Sequence, residues 1–118
     1  MKKENVVREK SFRFAVRVVR LYQYLADSKR EYVLSKQMLR SGTSVGANVR
    51  EADNAENKAD FIHKMGVAQK KIDETMYWFE LLRETDYLSA TEFDSIHRDA
   101  GELLKLIRSI IISAKSTR

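Results

Sequence analysis

Two acid–histidine pairs have the strongest claim to chemistry in this chain: Asp60 with His63, and Asp94 with His97, each three positions apart. Carboxylate-bridged dimetal centres in helical proteins use acid-x-x-His pairs from two helices and further acids from two others. The helical wheel argues against that use. His63 lies about 160° from the middle of the Phe61/Met65/Ile72 row, and His97 about 90° from the row that begins with Phe93 and Ile96. Both pairs also fall where helices would start, and acids are favoured there by the helix dipole. These histidines therefore read as surface residues, and neither a metal nor a cofactor is expected.

Nucleophilic chemistry fares no better. The chain has no cysteine, so it has no thiol nucleophile, thiolate zinc site or disulfide, which suits a reducing compartment. The segment Ser41-Gly42-Thr43-Ser44-Val45-Gly46 lacks the lysine of a phosphate-binding loop and follows no strand. The 17 acids offer many general acid/base combinations, and none stands out. The sequence reads as a non-enzyme.

The first helical segment offers binding instead. On a helix Lys10, Arg13, Arg17 and Arg20 fall within about 80° of one another, with Tyr24 in the same sector. Such a stripe neutralises phosphates without regard to sequence, and a tyrosine beside it can stack on an unpaired base. The alternative is a solvated face, or cations paired with the acids of a neighbour. Asn48 and Glu51 stand three apart near Arg50, and an asparagine inside a helix needs partners for its amide, so a structural role is expected there. Glu51, Asp53, Glu56 and Asp60 suggest an acidic patch that could dock onto the basic stripe of another subunit. Trp78 stands about 100° off the row of its own segment, so it or Tyr77 could meet a neighbouring chain.

The elements that must position these residues are legible from spacing. Proline is absent and glycine occurs four times in 118 residues, too few turn formers for an all-β chain. Apolar residues recur three and four apart in four segments, which places them on one face of a helix. The first, about 9 to 27, carries Phe14, Val18, Leu21 and Leu25, beside a second row of Phe12, Ala15, Val19, Tyr22 and Ala26. This face is broader than a helix needs to join a bundle, and the surplus points to a further partner, most simply another copy of the chain. The second segment, about 32 to 54, carries Met38, Gly42, Val45, Val49 and Ala52. Its centre, SGTSVGAN, is poor in helix formers, so a loop competes with the helix there. The helix is preferred because the row continues in phase and small residues allow close backbone approach. The third, about 58 to 85, carries Phe61, Met65, Ala68, Ile72, Thr75, Phe79 and Leu82, with Asn57 placed to cap it. The fourth, about 90 to 115, carries Phe93, Ile96, Ala100, Leu103, Ile107, Ile110 and Ala114, and begins with a Ser89/Glu92 capping box.

Short connections make successive helices antiparallel neighbours, so the expected fold is an all-α, up-down-up-down four-helix bundle forming a single domain over 1 to 118. Residues 1 to 8 and 116 to 118 read as frayed ends. The N-terminus runs into charge instead of an apolar stretch, and no segment reaches the roughly 20 apolar residues of a membrane span. A cytoplasmic protein is expected. Charge is lopsided: residues 1 to 50 hold 12 Lys/Arg against 4 Asp/Glu, and residues 51 to 118 hold 10 against 13. That asymmetry fits a polyanion-binding face, or two surfaces that neutralise each other in an oligomer.

The stretch SKQMLRSGTSVGANVREADNAENKADFIHKMGVAQKKIDE resembles the central signature of the four-helix-bundle proteins encoded within 23S rRNA intervening sequences. The likeness begins with FAVRVVRLY in the first helix. It passes through Leu39-Arg40-Ser41 and Ser44-Val45-x-Ala47-Asn48-x-x-Glu51 to Lys58-x-x-Phe61, with Gly46 standing where many members have proline. A related branch includes the accessory protein of diversity-generating retroelements. The resemblance implies a bundle that assembles into a ring, typically a homopentamer, with a basic surface and no enzyme activity. It also implies that the retroelement branch binds nucleic acid and a reverse transcriptase through that surface. The function expected is thus an oligomeric nucleic-acid-binding scaffold, with RNA the expected ligand. A protein-interaction adaptor that binds no nucleic acid is the alternative.

Overall fold

The computed structural model describes residues 3–117; Met1, Lys2 and Arg118 lie outside the described residues. Four helices and no strand make up the described chain: α1 (Lys3–Asp27), α2 (Leu34–Asp53), α3 (Lys58–Glu84) and α4 (Ala90–Ser116). They pack side by side in chain order and the circuit closes where α1 meets α4, giving a rod of 49 × 22 × 22 Å. No helix among the described residues is long and apolar enough to cross a membrane.

The three-four rows form the core. Phe14, Val18 and Leu25 of α1 are buried with Met38, Val45, Val49 and Ala52 of α2. From the other side come Met65, Ala68, Ile72, Phe79 and Leu82 of α3, and Ile96, Ala100, Leu103, Ile107 and Ile110 of α4. Phe14 meets Phe79 edge to face across the core, with ring centroids 6.2 Å apart, a geometry favoured by the aromatic quadrupole. Residues 3 to 8 are helical and not frayed, which corrects the expected start near residue 9. Val7 stands seven residues before Phe14, so it extends the same row and is 1% exposed.

The SGTSVGAN segment is helix: its row of Met38, Gly42, Val45 and Val49 is buried in phase, and its polar side chains bond to carbonyls one turn back. Thr43 Oγ1 donates to Leu39 O at 2.8 Å, Ser44 Oγ to Arg40 O at 2.7 Å and Asn48 Nδ2 to Ser44 O at 2.8 Å. Its glycines do what their size allows. A methyl group on Gly42 would stand 2.7 and 2.8 Å from the two γ-carbons of Val18, and one on Gly46 would stand 3.4 Å from the Ser11 carbonyl of α1. Helices α1 and α2 approach closely because nothing stands between them there. The buried hydroxyls of Ser41 and Thr75 share a hydrogen bond of 2.8 Å that ties α2 to α3.

Helix α2 begins at Leu34, two residues after the expected start, and its cap comes from an unforeseen place. The Glu31 carboxylate, 7% exposed, accepts from the backbone N–H groups of Val33, Leu34 and Ser35 at 3.1, 3.0 and 2.7 Å. Burial alone would raise the pKa of this acid. The three backbone donors and the Ser35 side chain outweigh burial and hold it below the ordinary carboxylate value. The other two caps match the spacing that predicts them: Asn57 accepts from Asp60 N at 2.9 Å, and Ser89 and Glu92 form a complete capping box.

Candidate nucleic-acid interface

Helix α1 turns three faces in three directions. Its core face holds Val7, Phe14, Val18 and Leu25. About 100° round the wheel lies the row of Lys10, Arg13, Arg17, Arg20 and Tyr24, which borders the groove between α1 and α4. Pointing away from the core is an apolar row of Phe12, Val16 and Val19, exposed by 56%, 37% and 36%. The broad apolar face thus divides: one part fills the core, and Phe12 and Val19 lie at the surface.

The basic row does not stand alone. Arg17 reaches across the groove to α4, where Nη1 meets Asp99 Oδ2 at 2.6 Å and Nη2 meets Ser95 Oγ at 3.0 Å. Arg13 pairs one helical turn back with Glu9 at 2.6 Å, a contact open to solvent. Lys10 and Arg20 are exposed and make no ion pair among the described residues. The groove holds a cavity of about 410 Å³ walled by Lys10, Arg13 and Arg17 on one side and Asp99 and Glu102 on the other, over Phe14 and Leu103. A second cavity, about 280 Å³, continues it past Arg20 and Tyr24 to Glu92. The acid wall was not foreseen, yet it has a signal of its own. Glu92, Ser95, Asp99 and Glu102 step by three, four and three, one position ahead of the α4 core row, which is the spacing of a polar row flanking a seam.

The remaining candidates are placed as follows. Asn48 is half-buried, and its amide faces Ser44 within α2. Glu51 is exposed and accepts from Lys64 Nζ at 2.9 Å. That hydrogen bond, followed by the charge of Glu51, raises the lysine above its ordinary pKa. The expected acidic patch is broken up by cations: Asp53 meets Arg8 at 3.4 Å, and Arg50 and Lys64 stand among Glu51, Glu56 and Asp60. Trp78 packs against the core while its Nε1 donates to Glu74 at 3.3 Å, leaving Tyr77, 55% exposed, as the outward ring of the pair. His63 is exposed. His97 is half-buried, stacked on Phe93 at 4.7 Å and 3.0 Å from Glu80 of α3, so its partners are not the acid three residues before it.

Comparison with known proteins follows the same lines. No curated protein matches the chain. A crystal structure of a protein of unknown function from the S23 ribosomal protein family of Bacteroides thetaiotaomicron superposes with a TM-score of 0.92 at 52% identity. The match covers 93% of this chain and 98% of that one. The family model described as 23S rRNA-intervening sequence protein matches residues 3–109. With the family model matching residues 3–109 and the solved relative sharing both fold and sequence over 93% of the chain, the chain belongs to the 23S rRNA-intervening sequence protein family.

Proposed function

We propose that the protein is a non-enzymatic oligomeric scaffold that binds RNA electrostatically in the cytoplasm, assembled as a ring, most simply a homopentamer, of antiparallel up-down-up-down bundles. The observation that carries this reading is helix α1, which sets an exposed apolar row of Phe12, Val16 and Val19 beside a row of cations. An exposed apolar row on a folded chain favours contact with another surface. A cationic row favours phosphates. The course of the helices is supported by their ion pairs. Arg8 near the start of α1 meets Asp53 at the end of α2, and Lys64 near the start of α3 meets Glu51 near the end of α2. His97 early in α4 meets Glu80 late in α3. The absence of cysteine suits a reducing compartment.

Binding through four cations to a single strand predicts that affinity falls roughly 50-fold between 50 and 200 mM salt. Fluorescence anisotropy with a labelled single-stranded RNA measures this, and K10E/R20E should abolish binding while leaving the fold intact. Affinity indifferent to salt and to these substitutions overturns the reading. The pairing of Arg13 and Arg17 with carboxylates favours a second reading, a protein-interaction adaptor, because paired cations have less to offer a phosphate. A partner captured by the purified chain after nuclease treatment, with no affinity for RNA, would establish that alternative.

A further inference from the structure

The α1/α4 groove has two walls of opposite charge. Phosphates attracted to Lys10, Arg13, Arg17 and Arg20 must lie close to Glu92, Asp99 and Glu102. At Arg17 the walls touch, since its guanidinium is 2.6 Å from Asp99 and 3.0 Å from Ser95. A phosphate that takes Arg17 therefore displaces or crowds the Asp99 carboxylate, a contact between like charges.

Resting on the RNA-binding reading above, we propose that Asp99 and Glu102 are selectivity residues that reserve the groove for an unpaired strand and exclude a duplex. A duplex presents its phosphates on a stiff surface, with its base edges already paired. Its phosphates lie against both walls at once. An unpaired strand can lay its phosphates along α1 and turn its bases to α4. There the carboxylates accept from base N–H groups, as acids do from the amino group of cytosine. The acid wall thus weakens one ligand and engages the other. Exposed Glu102 makes no ion pair among the described residues, so its carboxylate is available for such a contact.

The test measures anisotropy of one labelled 12-nucleotide RNA, alone and annealed to its complement, with the full chain and with D99N/E102Q. E102Q alone serves as the second variant, because it leaves the Arg17–Asp99 pair in place, and D73N on exposed Asp73 of α3 is the control. The wild type should prefer the single strand at least tenfold. D99N/E102Q should gain roughly tenfold on the duplex and close most of that gap, E102Q should close part of it, and D73N should leave it unchanged. Equal wild-type affinity for both forms, or a ratio that none of the groove variants moves, overturns the selectivity role while RNA binding stands. Absence of binding to either form by every protein overturns both readings together.

Discussion

Two kinds of glycine sit in the helices of this fold, and they should answer the same substitution in opposite directions. Gly42 faces Val18, whose γ-carbons would stand 2.7 and 2.8 Å from an added methyl group. Val18 is fully buried in the core, so a methyl group there forces a shift among packed side chains. Gly42→Ala should therefore destabilise the protein by about 1–3 kcal/mol, the usual range for overpacking a core. Gly66 and Gly101 have nothing within 4 Å of the position a methyl group would take. Alanine at either should stabilise its helix by about 1 kcal/mol. Thermal denaturation of the three variants separates the two cases. The sequence reveals Gly42 as part of a core row because it keeps step with Met38 and Val45. It could not reveal that Val18 lies opposite, since that contact is fixed by how two helices cross.

At the scale of the element, the start of α2 shows where local reading stops. Asn57 and Ser89 announce their helices because a cap of that kind acts over three residues. Glu31 caps α2 from outside the helix, with the chain held by a left-handed Arg30 (φ 56°) and a bond from Glu31 N to Leu25 O at 3.0 Å. No short-range rule marks that glutamate. Its depressed pKa gives the contribution a definite sign with pH. The carboxylate stabilises the fold above the ordinary glutamate pKa, and the contribution is lost as pH falls through the lower value it has in the folded chain. Glu31→Gln should cost about 1–3 kcal/mol at pH 7, as for lost hydrogen bonds to a charged group. The difference from wild type should shrink in acid. Urea denaturation at pH 7 and pH 3 reads both, and an equal difference at the two would show that the charge does not matter.

Across the whole molecule, the rows that fill the core were legible almost residue by residue, because burial in a four-helix fold repeats with the turn of the helix. The candidate interface was legible by half. The cations of α1 share one sector of one helix, which spacing reveals, whereas the carboxylates facing them belong to α4 and arrive only when the circuit closes. Of the outward row, Phe12 and Val19 belong to the surplus apolar surface that spacing foresees, without a division between core and exterior, whereas Val16 stands outside both predicted rows. Within the proposed ring, F12S/V16E should reduce the assembled mass to that of one chain, 13.8 kDa, in light scattering. These side chains fill no part of the core, so the helical circular dichroism should be retained. An unchanged mass would move the contact elsewhere. One consequence follows from the place where α1 meets α4, the slightest of the four contacts between helices and the one bridged by Arg17 and Asp99. A polar clasp spans the hoop of helices there above an apolar floor of Phe14 and Leu103, and the other seams are packed more extensively. Added electrolyte screens charges at the surface while apolar burial persists. Ionic strength thus acts on the clasp from two sides: it loosens the grip that keeps Arg17 occupied, and in the proposed RNA-binding reading it also dims the pull of the freed guanidinium on phosphate.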